Sequence, residues 1–284
     1  MPKPRLSLQT TTLWEYPSQH YGDEEQGSSD YRGATPSWVI WNLLQRYTKE
    51  KDLVVDPMCG SGTTLDVARD LKRRALGYDL QPQRKDIFRA DARSMPLEDA
   101  KADFLFVDPP YGDNLRYSGE EACIGELAAT DPAYFDAMDA VFREADRVLR
   151  PDRYLAVYVC DVWKKSAFVP IGSILAEMLA QRFLPVDHVA VVRGNKDLEK
   201  GNYHKAAEEE NFFLRGFNHL LIFKKPEAGE VRRAKVDRKK QQRSSSREAG
   251  RQGAQGKPRK GGPRGKRDQR GKRGPWKGNG PRGV

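Results

Sequence analysis

Two short runs in this chain hold residues whose types and spacing suit chemistry. The first is Asp56-Pro57-Met58-Cys59-Gly60-Ser61-Gly62-Thr63-Thr64. Gly60 and Gly62 have no Cβ, so the backbone can turn sharply there and approach a ligand closely. Asp79 follows 23 positions after Asp56, where a carboxylate ending the next strand can accept hydrogen bonds from a ribose diol. The second run is Asp108-Pro109-Pro110-Tyr111. Its consecutive prolines fix φ and remove two donors, which makes the loop rigid and leaves its carbonyls as outward-pointing, free acceptors. An exocyclic amine on a heteroaromatic base is a poor nucleophile because its lone pair is delocalised into the ring. Hydrogen bonds from its two N–H groups to the Asp108 carboxylate and the Pro109 carbonyl would favour a pyramidal nitrogen and stabilise the charge that develops during attack. Tyr111 offers a ring face on which such a base can stack, worth roughly 1–3 kcal/mol per base in single-strand binders. Taken alone, Asp-Pro-Pro-Tyr is equally well a turn closing a strand.

The elements that must position these loops alternate between strand and helix. Residues 1–30 read as irregular, and a helix follows Thr35-Pro36, with Trp38, Val39, Trp41, Leu43, Leu44 and Tyr47 at helical spacing. Strands are expected at 53–55, 75–79, 88–90, 103–107, 154–159, 186–192 and 217–223, and helices at 63–73, 132–149 and 169–181. Such alternation implies a mostly parallel, doubly wound α/β sheet. Ligands of such sheets sit beyond the carboxyl ends of the strands, and both motifs fall there.

A dinucleotide fingerprint would need glycine at Leu65, and a phosphate-binding P-loop would need a Gly-Lys-Ser/Thr triplet; the chain has neither. The run from Asp56 to Thr64 resembles the first motif of S-adenosylmethionine-dependent amino-methyltransferases. Together with Asp-Pro-Pro-Tyr it resembles the DNA amino-methyltransferase superfamily, the N4-cytosine and N6-adenine enzymes, over residues 31–226. The resemblance implies a Rossmann-like methyltransferase sheet, mostly parallel with an antiparallel C-terminal strand, and S-adenosylmethionine as cofactor. It places Asp56, Pro57, Gly60, Ser61, Gly62, Thr63 and Asp79 around that cofactor, with Asp91 at its adenine and Tyr31 and Thr35 in a segment that closes over it. Asp108, Pro109, Pro110 and Tyr111 become the catalytic residues. An acid heading that last motif leans toward adenine N6 in DNA. A guanine-N2 or adenine-N6 methyltransferase acting on RNA shares the pattern, and a non-catalytic nucleic-acid-binding protein on the same fold is the reading of a different class.

No sizeable target-recognition segment is recognisable. Asn114, Arg116 and Tyr117, just after the catalytic motif, and Asn195, Lys196 and His204, in the polar stretch 193–216, are the candidates for nucleic-acid contact. Three scattered cysteines with no CxxC pair suggest neither a disulfide framework nor a metal site. With no apolar run near ~20 residues and no signal-peptide core, the expectation is a cytoplasmic protein with no membrane partner. The formal charge of +10 belongs to residues 227–284, a Gly/Arg/Lys-rich stretch expected to be disordered, while residues 1–226 are net acidic. Truncation after Pro226 should leave a folded, cofactor-binding core with a raised KM for nucleic acid. The full chain's log–log salt dependence should be steeper by roughly 0.7–0.9 per phosphate its tail contacts. Matching slopes for the two proteins, measured from low to physiological salt, would assign the tail to solubility instead.

Overall fold

Hydrophobic runs such as Leu53-Val54-Val55 and Phe104-Leu105-Phe106-Val107 are too uniform for a half-exposed strand and mark strands covered on both faces. The computed structural model describes residues 6–28, 30–31, 33–113, 119–194 and 201–227. The expectations for Asn114, Arg116, Tyr117, Asn195, Lys196 and the basic tail lie outside the described residues. The strands are β1 (Leu13–Trp14), β2 (Leu53–Asp56), β3 (Arg74–Asp79), β4 (Ile87–Arg89), β5 (Ala102–Val107), β6 (Leu149–Val159), β7 (Val162–Lys164), β8 (Ala167–Val169), β9 (Leu184–Val192) and β10 (Phe217–Lys224). The helices are α1 (Ser37–Tyr47), α2 (Thr63–Asp70), α3 (Pro132–Val148), α4 (Ile171–Leu179) and α5 (Gly201–Glu209).

One sheet has the order β1-β9-β10-β6-β5-β2-β3-β4, and β7 and β8 form a separate hairpin. All pairings in the large sheet are parallel except those of β10, which runs against both β6 and β9. The sheet is therefore the expected one, mostly parallel with an antiparallel C-terminal strand. Successive strand residues point to opposite faces. Val55, Leu105, Val107, Leu155 and Val157 pack with α3 and α4 on one side. Val54, Phe104, Phe106, Ala156 and Tyr158 pack with α1 and α2 on the other. The chain goes outward from β2 through β3 to β4, then returns to pair β5 on the far side of β2. Parallel strands that part in this way leave a crevice at their carboxyl ends, between β2 and β5.

Several elements differ from the sequence expectation. Helix α2 stops at Asp70 instead of 73, because Lys72 takes a φ of 58° and the N–H groups of Lys72 and Arg73 bond to the carbonyls of Arg69 and Ala68. That is a Schellman end built without glycine. Helix α4 is shorter than expected at both ends, and β6 begins at Leu149, with Asp152 at a φ of 63° inside it. The β7–β8 hairpin turns on Lys165 and Ser166, both with positive φ and neither a glycine, so it carries no sequence mark of a tight turn. Part of the polar stretch 193–216 is the helix α5. Residues 6–28 are largely irregular as expected, but they are packed: Trp14 and Tyr21 are buried with Trp38, and the Tyr21 hydroxyl donates to Asp70 at 2.9 Å.

Phe104 is fully buried in β5 and its ring lies parallel to that of Tyr47, 6.4 Å between centroids. Phe104→Ala should cost about 3–5 kcal/mol of stability, read as a shift of the denaturant midpoint at unchanged slope. A loss below about 1 kcal/mol would mean that the layer above β5 can collapse into the space.

Candidate active site

Glycine and proline chemistry at the ends of β2 and β5 builds the walls of a cavity of about 700 Å³. After β2 the chain turns through Gly60 and Gly62, whose φ values are 50° and 84°. Asp56, buried at the strand end, accepts from the Thr64 hydroxyl at 2.6 Å and the Met58 N–H at 3.1 Å. The loop is thereby wrapped around its own first residue. Asp79, ending β3, accepts from the N–H of Gly60 at 2.9 Å and of Gln81 at 2.9 Å. The Tyr31 ring lies so close to Gly60 that a Cβ there would meet its Cζ and hydroxyl at 2.9 Å. Three acids, Asp79, Asp108 and Asp56, surround the Tyr31 hydroxyl, and together with burial, the larger cause, they push it up to about 12.

At the end of β5, Asp108 is recessed in the wall. The Thr35 hydroxyl donates to one of its oxygens and the Tyr111 hydroxyl to the other, the latter at 3.0 Å. Removal from water raises its pKa to about 7, against the lowering effect of those two hydroxyls and with Asp56 adding to the rise. Burial likewise raises Asp56 to about 7.

The residues singled out in the sequence converge here with few exceptions. Tyr31, Thr35, Asp56, Pro57, Gly60, Ser61 and Thr63 line the cavity, as do Asp79, Asp91, Asp108, Pro109, Pro110 and Tyr111. Gly62 does not; its place is behind the loop, where a Cβ would meet the Arg84 guanidinium at 2.5 Å. Arg84 donates to the Ser61 carbonyl at 3.1 Å and pairs with Asp66 and Asp86 at 2.7 Å each. No sequence motif announces it, since its partners come together only in the fold. The expectation of free carbonyls in the proline loop needs correcting at Pro110, which accepts the Tyr134 hydroxyl at 2.8 Å. Asp91 closes a turn on the Arg93 N–H at 2.8 Å and pairs with its guanidinium at 2.6 Å. Arg93 reaches on to the Ala122 carbonyl at 2.7 Å, drawing in the segment from which Cys123 and Ile124 complete the wall. His204, in the polar stretch 193–216, lies on the exposed helix α5 and does not line the cavity.

Charge is distributed unevenly around this space. Asp30, Asp56, Asp79, Asp91 and Asp108 line it, and no Lys or Arg does among the described residues. No group of His, Cys, Asp and Glu among the described residues could hold a metal ion.

Residues 4–90 match the family model described as DNA methylase, of the N6/N4 methyltransferase type. The match covers less than half of the chain and marks a similarity to the N6/N4 DNA methylase family over that stretch. The match takes in the glycine loop, Tyr31, Thr35 and Asp79, whereas Asp108 to Tyr111 lie beyond it. No curated protein matches the sequence. Among solved structures, a complex of the Haloferax volcanii Trm112 methyltransferase activator with a methyltransferase is similar, at 16% identity and a TM-score of 0.46, covering 66% of this chain and 88% of that one. A SAM-dependent methyltransferase of Methanosarcina mazei is similar at 14% identity, covering 66% and 98%, with a TM-score of 0.43. A protein of Thermus thermophilus assigned as a DNA modification methylase shares 18% identity over 50% of this chain and 53% of its own, with a TM-score of 0.35.

Gly62→Ala should destabilise the protein by about 1–2 kcal/mol, the cost of a left-handed conformation for a residue with a Cβ, and should displace Arg84. Equilibrium unfolding with and without a second change, Arg84→Ala, separates the two. If removing Arg84 restores full stability, the clash dominates; if it restores none, the backbone does.

Proposed function

We propose that this chain is an S-adenosylmethionine-dependent methyltransferase acting on an exocyclic amino nitrogen of a nucleic-acid base, foremost adenine N6 in DNA. The observation that carries this reading is the cavity itself: carboxylates line it with no lining cation among the described residues, and it ends at the recessed Asp108. A cofactor bearing phosphates would be repelled there. A ligand with a sulfonium and an ammonium finds the opposite charge, and Gly60, with the Tyr31 ring against it, leaves backbone close to whatever binds. When bound, that cofactor supplies an electrophilic methyl group.

The chain's own groups account for the remaining chemistry. Asp79 keeps lone pairs for a ribose diol beyond those used by Gly60 and Gln81. The Asp108 carboxylate accepts from the amine of the extruded base, and the Pro109 carbonyl offers the second acceptor. With a pKa raised to about 7, Asp108 is also matched to hold a proton near neutral pH. Tyr111, bonded to Asp108 at 3.0 Å, is held where its ring can border the base.

The decisive experiment supplies methyl-labelled cofactor with separate DNA and RNA pools, followed by nucleoside mass spectrometry. N6-methyladenine in DNA is the expected product. Label in RNA alone moves the substrate, and label in neither pool overturns the reading. For the wild type, kcat/KM should fall about tenfold per pH unit below about 7 as Asp108 takes up a proton in the free enzyme. Saturating cofactor should move the corresponding inflection in kcat lower, because added positive charge favours the ionised acid. Asp108→Asn should abolish transfer at every pH. A buried acid whose pKa is raised weakens the fold as pH climbs from about 4 through 7, so the same variant should be more stable than wild type at pH 8. Product at the wild-type rate from Asp108→Asn would remove this carboxylate from catalysis.

A further inference from the structure

Exposed large hydrophobic side chains are unevenly spread over the described surface: of eight, Phe168, Phe213 and Phe217 come from two short segments, and Phe213 is 86% exposed. The segments are the β7–β8 hairpin, 162–169, and the run 212–217 that leads into β10. Together they hold the aromatic residues Trp163, Phe168, Phe212, Phe213 and Phe217, the cations Lys164, Lys165 and Arg215, and no acid. They meet in space. Trp163 and Phe212 stack at 5.0 Å with their planes 12° apart, and the Arg215 guanidinium lies 5.0 Å over the Phe168 ring. Arg193, leaving β9, bonds through its N–H to the Gly216 carbonyl at 3.0 Å and adds a further cation.

Position gives this cluster its meaning. β6 lies beside β5, with Val107 paired to Val157, so the hairpin that follows β6 stands at the same edge of the sheet as the Asp108 loop. Lys164 forms an ion pair with Asp113, two residues beyond Tyr111. The cavity is lined by acids, whereas its neighbouring rim carries arginine and lysine among flat rings. Paired bases hide their faces; unpaired ones can lie on aromatic side chains while cations take the flanking phosphates.

We propose that the β7–β8 hairpin and residues 212–217 form a stacking platform for an unpaired nucleic-acid strand, holding the nucleotides beside the one presented to Asp108. Phe213 and Phe168 supply the ring faces, and Lys165, Arg193 and Arg215 the phosphate contacts. The proposal rests on the methyltransferase reading only for the identity of the nucleotide beyond the platform, and binding to the platform needs no turnover.

The test uses the full chain and 12-nucleotide probes carrying one 2-aminopurine, as single-stranded DNA, single-stranded RNA and duplex DNA, titrated from low to high salt. Wild type should bind an unpaired strand more tightly than the duplex at high salt, where the electrostatic share of binding is weakest, and should change the 2-aminopurine emission. Phe213→Ala and Phe168→Ala should each weaken that binding by about 5- to 150-fold, the range for losing one stacked base, with the salt slope unchanged. Phe213→Trp should restore it. Arg215→Ala should instead lower the slope by roughly 0.7 for the phosphate lost. Comparing the DNA and RNA probes assigns the sugar. Wild-type affinity in both phenylalanine variants, or duplex affinity equal to that for the unpaired strand, would overturn the platform. Cofactor titration and methyl transfer by the wild type are read separately. Transfer with indifferent phenylalanine variants sinks the platform alone, whereas Phe213-dependent binding without transfer to any pool sinks the enzyme reading alone.

Discussion

Asp56 and Asp108 end neighbouring parallel strands, and among the described residues neither has a cation as a partner in the cavity they share. Two carboxylates drawn out of water side by side are costly to ionise, and the surroundings of the site are arranged around that cost. Neutral donors are brought to each: Thr64 and the Met58 N–H to Asp56, Thr35 and Tyr111 to Asp108. Cations are kept behind the walls, with Arg84 clamped on Asp66 and Asp86 outside the glycine loop and Arg93 on Asp91. A cationic ligand would lower that cost directly.

The N-terminal segment gains a purpose from the same constraint. Residues 6–28 hold little regular structure, yet aromatic packing of Tyr16 and Tyr21 around Trp38 ties them to α1. The N–H of Gly27 reaches Asp66 on α2 at 2.8 Å. These anchors deliver Tyr31 over Gly60 and Thr35 to Asp108, so a stretch read as irregular helps to position part of the cavity wall.

Charge also sorts the two halves of the edge. Acids line the cavity, and the rim beside it carries Lys165 and Arg215 among aromatic rings. The sheet keeps them apart by a single strand step, from β5 to β6, and the Lys164–Asp113 pair joins them.

Much of this protein follows from local sequence. Glycine where φ must be positive, at Gly60 and Gly62, and proline after the end of β5 identify both loops, and uniform apolar runs identify the covered strands, because these choices act through each residue's own backbone or its nearest neighbours. Where turns were made by lysine, serine or aspartate at positive φ, as at Lys72, Asp152, Lys165 and Ser166, the boundaries were misread or the element missed. These four residues are exposed, and their conformations are held by backbone bonds and pairing of the flanking segments, which leave no mark on residue type. Tertiary structure alone decided the strand order that sets Asp56 beside Asp108, the partnership of Asp108 with Thr35 across 73 positions, the capture of the Pro110 carbonyl by Tyr134, and the meeting of two aromatic segments some 45 residues apart. Each is a long-range closure, whose partners are selected by the order in which a twisted parallel sheet is wound and not by any property of either residue by itself.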